Sequence, residues 1–206
     1  MNSACTGVIL AGGGATRFGG LPKGLERVGG TRIIDRVVAA LTDVTDDLLL
    51  IANAPDAETW LPGVRTRSDV RAGAGALGGL HAALSHATGS VLLVAWDMPF
   101  VPAALLRALR ARGEQGADAV LPESDGSRRG VEPLCAWYSQ ACLPAIERSL
   151  DAGDLRVIGF HDRSAVRVAR LDLATVATFG DPAQLFRNVN TPDDLAAASA
   201  DVALRG

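Results

Sequence analysis

A chain of 206 residues, 48% hydrophobic and 21% charged, has the length and apolar content to bury a sizeable core. Its formal charge of −3 leaves no cationic excess for displacing counterions from a nucleic-acid backbone. No apolar run is long enough to span a bilayer and no charged-then-apolar leader opens the chain, so neither nucleic acid nor membrane is an expected partner and the cytoplasm is the expected location.

In chain order, residues 7–11 (GVILA) form a short β-branched apolar run closed by glycines, which predicts a buried strand. A long loop follows, GGGATRFGGLPKG, over residues 12–24. Apolar residues at helical spacing predict a helix over 33–41, with Thr31 as its N-cap. Strands are expected at 48–52 and 64–66, a helix at 76–87, and a buried strand at 91–95 (VLLVA) that closes on Trp96-Asp97-Met98-Pro99. A helix over 102–112 carries proline in its first turn, as helices permit. Strands at 117–121 and 134–138, a helix at 140–150, an alternating strand at 164–170, and a terminal helix capped by Thr191 complete the reading.

Strand and helix alternate, so the expected class is α/β. The expected architecture is a single Rossmann-like three-layer sandwich around a mostly parallel central sheet, one domain over residues 1–206. In such sheets ligands sit beyond the carboxyl ends of the strands, so the loops after Ala11, Ala52 and Ala95 should share one face.

The three cysteines, Cys5, Cys135 and Cys142, are odd in number and lack C-x-x-C spacing, so they read as reduced, buried thiols. His81, His86 and His161 form no helical metal pair, which argues against zinc. Of the 20 basic residues a single one is lysine, Lys23, and it stands in the glycine-rich loop. Glycines there let backbone N–H groups approach phosphate oxygens, and Arg17 and Lys23 supply compensating charge. The loop is not a P-loop, because Gly24 follows Lys23 where a hydroxyl is needed. It is not a dinucleotide fingerprint either, because Arg17 replaces the third glycine.

The stretch LAGGGATRFGGLPKGL resembles the signature loop of nucleotidyltransferases with a glycosyltransferase-A-like, nucleotide-diphospho-sugar-transferase-like fold. With LGGLHAAL, AWDMPFVP, EPLCAWY and NVNTPDDL following in that order, it is most similar to the molybdenum cofactor guanylyltransferase family along nearly the whole chain. Pro22 and Gly14 depart from the family pattern, where an acidic residue and a side-chain-bearing residue are usual. The resemblance implies that Leu10, Ala11, Gly12 and Gly13 line a GTP pocket and that Lys23 contacts phosphate. It also implies a nucleotide-binding part over about 1–112 and an acceptor-binding part over about 113–206.

Asp97 leaves a buried strand at the expected ligand edge, which suits a hard cation such as Mg²⁺; a turn aspartate bonding nearby backbone is the bland alternative. In the resembled family D-x-P supplies the Mg²⁺ ligand. Asp69 follows the third expected strand and is either a surface-loop residue or a contact to guanine or ribose; in the resembled family an aspartate here contacts GTP. Asn53 ends the second strand and is placed to read the nucleoside. In an extended Asn188-Val189-Asn190 the two amides project the same way, toward metal or acceptor, unless they only cap the terminal helix. Glu132-Pro133 falls where related enzymes border the acceptor pocket, and Arg128 and Arg129 could attract its phosphate; a solvated loop is the other reading.

The implied reaction is transfer of GMP from GTP to the terminal phosphate of molybdopterin, with release of pyrophosphate. Lys23, Arg17 and Asp97 are the catalytic candidates and Mg²⁺ the cofactor; Asn188 and Asn190 are the acceptor contacts. The resemblance also implies transient contact with other cofactor-biosynthesis proteins or molybdoenzyme chaperones. The nearest rival keeps the chemistry with CTP or another phosphorylated acceptor; a rival of another class is a nucleotide-binding sensor without catalysis.

Overall fold

The structure, a computed structural model, describes residues 4–12, 22–127, 129–160 and 165–203. Strand β1 (Cys5–Ala11) is buried at every position. It lies between β4 (Asp47–Ala52) and β6 (Ser90–Ala95), parallel to both. A strand covered on both faces must be apolar throughout, which is why CTGVILA lacks polar alternation. Successive side chains still point to opposite faces. Cys5, Ile9 and Ala11 join one core cluster with Ile34, Val37 and Leu41 of α1 (Ile33–Thr42) and Leu105, Leu106 and Leu109 of α3 (Ala103–Glu114). Val8 and Leu10 join another with Leu77, Leu80 and Leu84 of α2 (Gly75–His86) and Ile146 of α4 (Leu143–Asp151). The result is the expected three-layer sandwich.

The central sheet has seven strands in the order β5-β4-β1-β6-β8-β7-β9, with β5 spanning Arg65–Arg67, β7 Ala119–Pro122, β8 Cys135–Tyr138 and β9 Val168–Leu171. Among the described strands of this sheet, β8 alone runs antiparallel to its neighbours. Its reversed direction brings the segment entering it to the carboxyl edge of β6, where the Ala95 N–H donates to the Leu134 carbonyl at 2.8 Å. The register pairs Ala11 with Ala52 and Leu10 with Ala95, so β1, β4 and β6 end nearly level. Helix α2 packs closely on this edge: a Cβ at Gly79 would lie 2.3 Å from Leu10 Cδ1.

Thr31 is not the N-cap of α1. A small hairpin of β2 (Arg27–Val28) and β3 (Thr31–Arg32) claims it, turning through Gly29 and Gly30 at φ of 58° and 83°. The helix starts instead after Arg32, whose guanidinium donates to both Asp35 oxygens at 2.6 and 2.7 Å. Two short helices, α5 (Leu173–Ala177) and α6 (Pro182–Leu185), stand where no element was expected; Asp172 and Asp181 cap them through the N–H groups of Thr175 and Ala183. At α7 (Pro192–Ala203) the cap expectation holds. The Thr191 hydroxyl accepts the Asp194 N–H at 3.1 Å, and the Asp194 carboxylate accepts the Thr191 N–H at 2.9 Å and the Asn190 N–H at 3.0 Å, a reciprocal capping box. Helix α7 packs on the β2–β3 hairpin through Val28, Ile33, Val189 and Ala198. Among the described residues no helix is long and apolar enough to cross a membrane.

Candidate functional site

A cleft of about 490 Å³ opens at the carboxyl edge of β1, β4 and β6, within the size range of small-ligand sites. Leu10, Ala11, Gly12, Ala95 and Trp96 line it from the sheet, Asn53, Asp69 and Asp97 from the loops, and Gly75 and Ala76 from the start of α2. The level strand ends put these residues on one face, as the topology requires.

Lys23 begins a 3-10 turn (Lys23–Leu25) that returns the glycine-rich loop to the sheet. Its Nζ donates to Asp97 Oδ2 at 2.5 Å and to Asn190 Oδ1 at 2.8 Å. The Lys23 and Asp97 side chains are only 14% and 12% exposed, so this pair is screened less than a surface salt bridge. Three sequence candidates from three distant segments therefore meet at one cation. The meeting is fixed by the backbone as well: the Val189 N–H donates to the Asp97 carbonyl at 2.9 Å, with Val189 itself fully buried. Asn188 and Asn190 are both exposed on either side of buried Val189, and among the described residues the Asn188 amide makes no hydrogen bond to Lys23 or Asp97. Gly13, Arg17 and Arg128 lie outside the described residues.

Across the cleft, Asn53 and Asp69 hold each other. Asn53 Nδ2 donates to Asp69 Oδ2 at 2.8 Å and Asn53 Oδ1 accepts the Asp69 N–H at 2.8 Å. Both polar ends of the Asn53 amide are thus engaged, and among the described residues the second Asp69 carboxylate oxygen accepts no side-chain hydrogen bond.

A second hollow of about 390 Å³ adjoins the cleft across Leu134 and is lined by Ser127, Arg129, Glu132 and Arg156 among others. Burial pushes the Glu132 carboxyl up to about 7, the Leu134 N–H pulls it partly back, and the negative charge of Asp97 adds to the rise. The cysteines take no part. All three are free and buried, and desolvation raises their thiols, that of Cys142 to about 12, so none forms a thiolate nucleophile near neutral pH.

Among the described residues no three His, Cys, Asp or Glu side chains cluster tightly enough to cage a metal. What converges is a carboxylate and an amide oxygen on one point already held by a cation, Lys23 Nζ. That sparse all-oxygen set fits Mg²⁺, which keeps waters and substrate phosphates in its shell, and it does not fit zinc.

Packing around Lys23 was not legible as part of the site. Trp96 stacks on Trp60 with centroids 5.2 Å apart and planes at 17°, and Gly24 lies against the Trp96 ring. The available signals were adjacency, since Gly24 follows Lys23 and Trp96 precedes Asp97, and the scarcity of tryptophan, three in the chain.

Comparison with known proteins identifies the family and the fold. The MobA-like NTP transferase domain matches residues 7–166. A molybdenum cofactor guanylyltransferase from Desulfosudis oleivorans is 36% identical over 203 residues, covering 97% of this chain and 96% of its own length. A probable molybdenum cofactor guanylyltransferase from Pelotomaculum thermopropionicum is 38% identical over 194 residues, covering 94% and 91%. The crystal structure of molybdopterin-guanine dinucleotide biosynthesis protein A from Archaeoglobus fulgidus superposes with a TM-score of 0.80 at 28% identity, over 97% of this chain and 99% of that one. The chain belongs to the MobA-like nucleotidyltransferase family, with the nucleotide-diphospho-sugar transferase fold.

Proposed function

We propose that this protein transfers GMP from GTP to the terminal phosphate of molybdopterin, forming molybdopterin guanine dinucleotide and pyrophosphate. The observation that carries the reading is the meeting of Lys23, Asp97 and Asn190 beside a nucleotide-sized cleft, in a chain whose relatives are guanylyltransferases. The acceptor's phosphate oxygen is already an anion. It attacks the α-phosphorus, the bond from that phosphorus to the bridging oxygen breaks, and pyrophosphate leaves with the electron pair. No general base is needed, so catalysis rests on alignment and on neutralising charge.

Lys23 and Asp97 neutralise each other in the unliganded protein. When the triphosphate arrives, Lys23 exchanges its carboxylate partner for a phosphate oxygen, and Gly12 offers bare backbone at the end of β1. Asp97 and Asn190 would hold Mg²⁺, which neutralises charge on the phosphates when bound. Asp69 accepts hydrogen bonds from the guanine N1–H and N2–H₂ edge or from the ribose, and Asn53 holds it in place. The acceptor lies toward Asn188, Asn190 and the adjoining hollow, where Arg129 and Arg156 bring positive charge.

A thermal-shift panel tests the nucleotide assignment. A ligand present at a hundred times its Kd and bound only to the folded state adds about 2.7 kcal/mol of stability, an easily read shift. GTP with Mg²⁺ should raise the melting temperature more than CTP, UTP or ATP. A larger shift with CTP would overturn the guanine assignment and leave the reaction class intact.

A further inference from the structure

Two adjacent residue pairs tie the returning loop to the exit of β6: Lys23 to Asp97 by charge and Gly24 to Trp96 by packing. Gly24 is buried, and its backbone is not among those at positive φ, so its conformation would admit a side chain. The three atoms nearest to such a side chain all belong to the indole. A Cβ at Gly24 would stand 2.3 Å from Trp96 Cε3, 2.8 Å from Cδ2 and 3.0 Å from Cζ3.

The indole cannot retreat. Trp96 is 1% exposed and is backed by the Trp60 ring at 5.2 Å. Trp60 is anchored in turn: its Nε1 donates to Asp56 Oδ2 at 3.1 Å, and its carbonyl accepts from Arg32 Nη1 at 3.1 Å. The Trp96 main chain is pinned by its N–H to the Leu10 carbonyl at 3.1 Å. The Lys23 side chain is held at both ends, its ammonium by Asp97 and Asn190 and its α-carbon by the turn, so a shifted turn pulls against those two bonds.

We infer that Trp96 is a positioning residue for Lys23: its indole, stacked on Trp60, is the stop against which Gly24 sets the reach of the Lys23 ammonium. This rests on the reading of Lys23 as the phosphate contact. A clash at Gly24 lifts the turn off the indole and moves Nζ with it, and a displacement near 1 Å costs about 10²-fold in rate where geometry is critical.

The test is a double-mutant cycle with the full chain. Gly24→Ala is made in the wild type and in Lys23→Ala, and for each protein the melting temperature, turnover per folded molecule, and affinities for GTP and for guanosine are measured. Gly24→Ala is expected to lower turnover by about 10²-fold and to weaken GTP while leaving guanosine unchanged. In the Lys23→Ala background it should cost nothing further, because its effect passes through the lysine. Trp96→Phe, which keeps a ring on Trp60 and withdraws atoms from Gly24, should reduce the penalty of Gly24→Ala; if Gly24→Ala does not fold, Trp96→Phe alone should lower turnover and weaken GTP but not guanosine, and wild-type turnover and GTP affinity in Trp96→Phe would overturn the inference. An equal loss in both backgrounds, or equal weakening of GTP and guanosine, would overturn the inference and make the contact structural only. If Lys23→Ala alone leaves GTP affinity unchanged, the phosphate role of Lys23 fails first and this inference falls with it.

Discussion

Replacing Asp97 with asparagine separates what this carboxylate does for stability from what it does for turnover. In the unliganded protein it accepts the Lys23 ammonium at 2.5 Å with both side chains largely buried. Breaking a fully buried pair costs about 3–5 kcal/mol, because it strands the remaining charge. The cost here is smaller. The introduced amide oxygen still accepts a hydrogen bond, and Lys23 keeps Asn190 Oδ1 at 2.8 Å. What is lost is the charge assistance, about 1–2 kcal/mol. At about 2–4 °C per kcal/mol for a chain of this size, the unliganded melting temperature should fall by about 2–8 °C. The Val189 N–H to Asp97 carbonyl bond is main chain on both sides, so the 188–190 segment should stay in place. Turnover should fall much further, about 10²–10³-fold, the scale on which one preorganised charge contributes. The assay is pyrophosphate release from GTP with Mg²⁺ and molybdopterin, normalised to folded protein, beside melting without ligand. Turnover per folded molecule near wild type would remove Asp97 from the mechanism, and a rise in melting temperature would refute the stabilising role of the ion pair.

Lys23→Arg keeps the charge but replaces a compact ammonium with a planar, directional fork, so turnover should fall by about tenfold or more; pyrophosphate release at wild-type rate would contradict this. Asn53→Ala removes both hydrogen bonds that hold Asp69, and at about 1 kcal/mol net for each, GTP should bind about tenfold or more weakly by calorimetry. Glu132 supplies a pH test. Its carboxyl is raised from an unfolded value of 4.5 to about 7, so the folded state holds a proton that the unfolded state has released across that window. Stability present below pH 4.5 is therefore lost as pH rises toward 7. Glu132→Gln should gain melting temperature relative to wild type across that interval in the absence of nucleotide and metal, with the difference levelling off above it. A constant difference across the interval would place the buried charge elsewhere.

The α/β class and the site edge were legible because parallel strands covered on both faces must be continuously apolar, and GVILA and VLLVA are. Lys23 stood out by composition and Asp97 by its place after a buried strand, while Asn190 was visible as one amide of an alternating pair. Both amides are exposed, and what separates them is the hydrogen bond by which Asn190, and not Asn188, meets Lys23. Periodicity could not show that Asn53 grips Asp69, because that contact joins loops after two different strands. Thr31 was misread because a cap signal and a hairpin residue share the same chemistry, and the Gly29-Gly30 turn favoured the hairpin. The short helices α5 and α6 carried cap signals in Asp172 and Asp181 but too few turns for a hydrophobic period to register. The Gly24–Trp96 contact was hidden because a close approach between distant segments leaves no trace in local pattern.

The most direct test of the guanylyltransferase reading follows the phosphorus. The protein is incubated with Mg²⁺, molybdopterin and GTP carrying its radiolabel on either the α- or the γ-phosphate, and the products are separated. Label from the α position should appear in molybdopterin guanine dinucleotide and label from the γ position in pyrophosphate, in equal amounts. Label from the γ position appearing in inorganic phosphate, or no label reaching the acceptor while GTP remains bound, would contradict nucleotidyl transfer by this protein.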